Sequence, residues 1–131
     1  MPFVVNMMEK QEPMKKSNWN DVPVEQVNPM MKRKFIHGEK AMIARMEFTD
    51  GFIVPWHSHE NEQITEVQEG VLRFWFDNDE TQYIDLEAGD FIVIPGNRPH
   101  KALMMGKVIE TDTFAPPRKD WIDGSDNYLR K

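Results

Sequence analysis

The chain has 131 residues, a formal net charge of -6 from 22 acidic and 16 basic side chains, an apolar fraction of 40% and no cysteine. That length suits one domain with one core. The acidic balance argues against a nucleic-acid binder, which needs a basic face to displace counterions. The missing thiols exclude disulfides and thiolate zinc sites, so a metal would have to be held by His, Asn/Gln, Asp/Glu or water. No run of about 20 apolar residues is present for a membrane span. The opening MPFVVNMMEKQEP has too short an apolar part for a secretory signal and meets Glu9 early. A cytoplasmic protein with neither membrane nor nucleic-acid partner is expected. The ten methionines read as soft core filler.

In chain order, residues 1–20 mix Lys15, Lys16, Ser17, Asn18 and Asn20 without a period and read as an N-terminal arm, and 21–131 reads as a single domain. A first or edge strand is predicted at 22–27, where Pro23 limits pairing. Another starts at 35–36, and 41–48 alternates in part before the Thr49-Asp50-Gly51 turn signal. Residues 52–59 are extended, Glu60-Asn61-Glu62 is a polar turn, and 63–69 returns as far as Gly70. The β-forming stretch 71–76 leads to a turn at Asp77-Asn78-Asp79-Glu80, then to 81–86 and to a second turn at Glu87-Ala88-Gly89-Asp90. The apolar run 91–94 stops at Pro95-Gly96-Asn97-Arg98-Pro99. Two further strands, 100–103 and 108–114, are predicted on either side of a loop at Gly106, and Pro116-Pro117 ends the strands before a polar tail with room for one helical turn. Strands at this spacing, with no amphipathic helix, predict an all-β sandwich or barrel.

Within Trp56-His57-Ser58-His59, positions i and i+2 of an extended segment face the same way, so His57 and His59 present two imidazoles side by side. Gln63 follows across a short turn, and His100 comes just after the proline-rich turn. Three imidazoles and an amide oxygen make a neutral shell that leaves a divalent ion its full charge as a Lewis acid. An alternative keeps Gln63 behind the ligands and brings in Glu62 as a carboxylate ligand. Glu66 alternates away from this point, and His37 has no partner motif.

These residues resemble the two cupin motifs. Gly51, His57-Ser58-His59, Gln63 and Gly70 stand at the spacing of the first, and Gly89-Asp90 followed by Pro95-Gly96-Asn97-Arg98-Pro99-His100 at that of the second. The sequence departs from the pattern at Gln63, where glutamate is usual, at Asn97, where glycine is usual, and at Met104, where asparagine is frequent. The resemblance implies a single cupin barrel, a double-stranded β-helix or jelly roll, holding one divalent metal (Zn, Ni, Mn or Fe) on His57, His59, Gln63 and His100.

Farther along, Asp112 and Phe114 share a strand face, and Arg118 follows the rigid Pro116-Pro117 corner. A carboxylate, an aromatic ring and a guanidinium beside a metal suit a sugar acid. The stretch from Asp112 to Trp121 is similar to the ending of the pectin-degradation cupins of the KdgF type. That resemblance runs over roughly residues 20–129. It implies an isomerase-type enzyme that opens the ring of 4,5-unsaturated monouronates from pectin or alginate, with Asp112, Phe114 and Arg118 as its catalytic residues. Two other readings stay open: a metal-dependent dioxygenase on the same fold, and a non-catalytic cupin that binds a small ligand. A homodimer is expected, with the arm before residue 28 as the candidate contact.

Overall fold

The computed structural model describes residues 13–130. The part of the expected arm that falls on residues 1–12, and any dimer contact through it, lies outside the described residues. A single 3-10 turn at Trp19–Asp21 precedes eight strands: β1 (Glu25–Asn28), β2 (Met31–His37), β3 (Met42–Phe48), β4 (Ile53–His57), β5 (Glu62–Phe76), β6 (Asp79–Leu86), β7 (Phe91–Ile94) and β8 (His100–Ala115). Two short helices close the chain, α1 (Lys119–Asp123) and α2 (Asn127–Arg130). The strands pair antiparallel in the order β1-β2-β3-β8-β5-β6, with β4 added on β8 and β7 on β5.

Two expected breaks are continuous strand. Residues 63–69 and 71–76 belong to one strand, β5, and 100–103 and 108–114 belong to β8. The glycines that suggested loops mark bulges instead. Gly70 has φ +82° and Gly106 φ +79°, and the β5–β8 register shifts twice between Val67 and Val71. A bulge bends a strand without ending it. Gly70 is required there for a second reason: a Cβ would collide with the Lys107 carbonyl oxygen. Because β5 and β8 bend together, both run through both halves of the barrel. β4 and β6 flank one half, and β3 and β7 flank the other.

Alternation then fills the interior. Met42, Ala44, Met46 and Phe48 of β3 are buried, as are Val67 and Leu72 of β5 and Ala102, Met104, Val108 and Phe114 of β8. Several methionines are core residues, as composition suggested. The polar tail is more structured than expected. Trp121 and Leu129, from α1 and α2, close the core at one end of the barrel.

That end is fastened by a buried ion pair. Arg33 of β2 is 1% exposed, and its Nη1 donates to Asp126 Oδ2 at 2.8 Å. Its guanidinium lies 4.4 Å from the Trp121 ring centroid. Glu25 accepts from both Arg33 and Arg130, Asp126 also accepts from Arg130, and Asn28 Nδ2 donates to the Leu129 carbonyl. Removing one partner of a buried pair leaves the other charge desolvated, at a cost of about 3 kcal/mol or more. Asp126→Ala should therefore destabilise by about that amount in urea unfolding, while Glu80→Ala, which removes the exposed partner of Lys101, should stay within about 1 kcal/mol of wild type. Equal effects would contradict this account.

Candidate metal centre

His57 ends β4, His59 lies in the following turn, Gln63 is the second residue of β5 and His100 begins β8. Register brings the distant residue home: His57 pairs directly with His100 across the β4–β8 ladder. Their ring centroids are 4.2 Å apart, and His59 stands edge-on to His100 at 5.2 Å. One ring nitrogen from each of the three histidines lies within 4.8 Å of the other two.

The ring orientation is fixed by the backbone. Nδ1 of His57 lies 2.8 Å from the Pro55 carbonyl, that of His59 3.1 Å from the Asn61 carbonyl, and that of His100 2.8 Å from the Arg98 carbonyl. A carbonyl only accepts, so each Nδ1 carries the proton and each Nε2 keeps a lone pair. Burial lowers all three pKa values, to about 3 for His57 and about 4 for His59, with the nearby His100 and Arg118 charges adding to the effect. The rings are therefore neutral donors at ordinary pH.

Gln63 is buried and Glu62 is exposed, so the amide faces the histidines and the carboxylate faces solvent. Gln63 Nε2 donates to Thr65 Oγ1 at 2.9 Å and to Asp112 Oδ2 at 3.5 Å, which turns Oε1 toward His59 Nε2 at 3.0 Å. Two acceptors facing each other repel unless a cation lies between them. His100 Nε2 is likewise buried with no partner among the described residues, although such atoms are normally satisfied. Both observations fit a divalent ion on these ligands.

The second motif departs from the family pattern without losing its geometry. Asn97 adopts φ +64°, a left-handed conformation that asparagine tolerates better than most residues. Its N–H donates to the His59 carbonyl at 2.6 Å. Glu66 is exposed, and the exposed His37 takes no part in the cluster.

Asp112 and Phe114 both face the barrel interior and line the cavity beside His57 and Gln63. Asp112 Oδ1 is buried and unpartnered among the described residues. Burial raises the Asp112 pKa. Phe114 packs edge-on against His59 at 5.8 Å and Trp121 at 5.0 Å. Arg118 is buried, and its Nε and Nη2 grip Asp120 at 3.0 and 2.8 Å.

Two residues of this site went unnoticed in the sequence. Glu110, two before Asp112, shares its face, lines the cavity and is pushed well above the usual carboxylate range by burial and by its neighbour Asp112. The alternation along β8 was the signal for it. Asn61, read as a polar turn residue, is buried. Its amide donates to the carbonyls of Pro116 and Pro117 at 2.5 and 3.2 Å, so it ties the histidine turn to the corner that carries Arg118.

Two outcomes are expected. Elemental analysis should give about one divalent metal per chain, with His57→Ala well below it. The metal-free protein should lose stability on acidification. Below about pH 6.5 the unfolded chain protonates histidines that the folded chain keeps neutral, so the loss should run from there toward pH 4. Urea unfolding across that window tests this, and a double His57→Leu/His59→Leu variant should flatten the curve.

The cupin domain family model matches residues 44–109. Among solved structures, KdgF from Halomonas sp. superposes with TM-score 0.70 at 27% identity, over 78% of this chain and 94% of that one. An RmlC-like cupin from Shewanella frigidimarina gives TM-score 0.74 at 25% identity, over 83% and 96%. The polyketide cyclase RemF from Streptomyces resistomycificus gives TM-score 0.66 at 21% identity, over 79% and 80%. No curated protein matches. The matched span includes three of the four candidate ligand positions in the first motif and the last in the second, on a bent antiparallel barrel, and the chain belongs to the cupin domain family.

Proposed function

We propose that this cupin is a metal-dependent isomerase-type enzyme that opens the ring of 4,5-unsaturated monouronates such as those released from pectin or alginate. The observation that carries the reading is the pairing, in one cavity, of His57 and Gln63 from a charge-neutral ligand set with Asp112, whose Oδ1 has no partner among the described residues. The likeness to KdgF over most of the chain supports it, as does the placing of Asp112, Phe114 and Arg118 on one cavity.

His57, His59, His100 and Gln63 would hold the ion, which when bound supplies Lewis-acid polarisation of substrate oxygens. The rest is done by side chains. The substrate is a cyclic hemiacetal whose ring oxygen is also an enol ether. Ring opening removes the proton from the anomeric hydroxyl, breaks the bond between the anomeric carbon and the ring oxygen, and returns a proton to the ring-opened enol at C4. The products are an aldehyde and a ketone in one open chain, with no change of overall oxidation state. Asp112 accepts the first proton and delivers it, a transfer suited to a carboxyl whose pKa burial has raised toward the working pH. Glu110 lines the same cavity, and burial together with Asp112 pushes its pKa up, which disfavours a second negative charge there. Phe114 and Trp121 form an apolar wall that excludes water from the reacting face.

Purified metal-loaded protein should remove the absorbance of the conjugated double bond of unsaturated galacturonate faster than the spontaneous rate, with no oxygen uptake. Absence of acceleration would reject the isomerase reading, and stoichiometric oxygen uptake would favour a dioxygenase. Asp112→Asn should keep its metal and lose about 100-fold or more in rate. Full activity in that variant would remove Asp112 from the proton transfer.

A further inference from the structure

Arg118 has less of its guanidinium available than a surface arginine would. Its Nε and Nη2 edge is taken by both oxygens of Asp120, and Nη2 also donates to the Tyr128 hydroxyl at 2.6 Å. That edge cannot also fork onto a ligand carboxylate. Nη1 has no hydrogen-bond partner among the described residues, so one donor group remains for a ligand.

Tyr128 stands beside it. Its hydroxyl oxygen accepts from Arg118 Nη2 and, at 3.4 Å, from Trp121 Nε1. Both of those groups are donors only, so neither contact uses the phenol proton. No described residue accepts it. The Tyr128 ring stacks on His57 with centroids 4.8 Å apart and 26° between planes, and it lines the same cavity as Gln63, Asp112 and Arg118. Asp126, two residues earlier, anchors α2 through Arg33 and Arg130, so the ring is held over His57 by the rest of the fold.

We propose that Tyr128 is a ligand-contacting specificity residue whose O–H, together with Arg118 Nη1, holds the carboxylate of the sugar acid. Two unused donors in one cavity, one of them on a guanidinium, suit a partner that only accepts, and a carboxylate offers one oxygen to each. The role rests on the sugar-acid reading above. It adds that recognition of the acid group is divided between Arg118 and a tyrosine from the C-terminal helix.

Tyr128→Phe removes the oxygen and keeps the ring over His57. Calorimetric titration of the metal-loaded wild type and variant with galacturonate, which has no double bond to react, and with its methyl ester separates the possibilities. The variant should bind the acid about tenfold more weakly, bind the ester as the wild type does and retain its metal. With the unsaturated acid, KM should rise while kcat changes little. Equal acid affinity in the two proteins overturns the proposal, as does an equal loss for acid and ester, or failure of the wild type to bind the acid. A wild type that shows the expected discrimination but does not turn over the unsaturated acid would leave the carboxylate clamp standing and remove the ring-opening reading alone.

Discussion

Each of the three candidate ligand histidines spends its Nδ1 proton on a backbone carbonyl two residues away in sequence, Pro55 for His57, Asn61 for His59 and Arg98 for His100. This shared constraint gives the site its character. The tautomer is set, the ring plane is set, and the three Nε2 lone pairs are left to converge. A carbonyl so close in the chain is a rigid orienter, because its position depends on the local backbone rather than on a long side chain. Pro55, the Pro95 to Pro99 turn and the left-handed Asn97 restrict that backbone.

The barrel interior beside the candidate ligands carries several polar side chains. Gln63, Thr65, Glu110 and Asp112 are all buried on facing strands. Their proximity is workable because few of them need be charged. Burial disfavours the charged form of the histidines, an amide stands at position 63, and burial with the neighbouring Asp112 pushes the Glu110 pKa up. Asp112 is the carboxyl of the pair that Arg118 favours in its charged form, against the burial that raises its pKa. A glutamate at position 63 would add another buried anion against the Glu110–Asp112 pair, which gives a physical reason for the amide there.

The chain's last residues complete the cavity from outside the barrel. Asn61 links the histidine turn to the Pro116-Pro117 corner, the corner presents Arg118, and the Arg33–Asp126 pair holds α2 so that Tyr128 covers His57. Each link joins segments remote in sequence. The candidate ligands and the Arg118–Tyr128 side of the cavity are in this way coupled through hydrogen bonds as well as through packing.

The sequence by itself determined the all-β character, most of the turns and the likeness to cupins, because strand alternation, turn chemistry and the His57-x-His59 pair are local patterns. It also brought Asp112, Phe114 and Arg118 into question through their spacing. Tertiary structure decided what depends on pairing across the barrel. It made β5 and β8 single bent strands where Gly70 and Gly106 looked like loop residues, since a partner strand can carry a chain through a bulge that local propensity reads as a stop. It chose the Gln63 amide over the Glu62 carboxylate as the inward group, because β5 alternation buries one and exposes the other. It revealed Asn61 and Tyr128, whose partners, the Pro116-Pro117 corner and His57, lie tens of residues away, where no local pattern reaches.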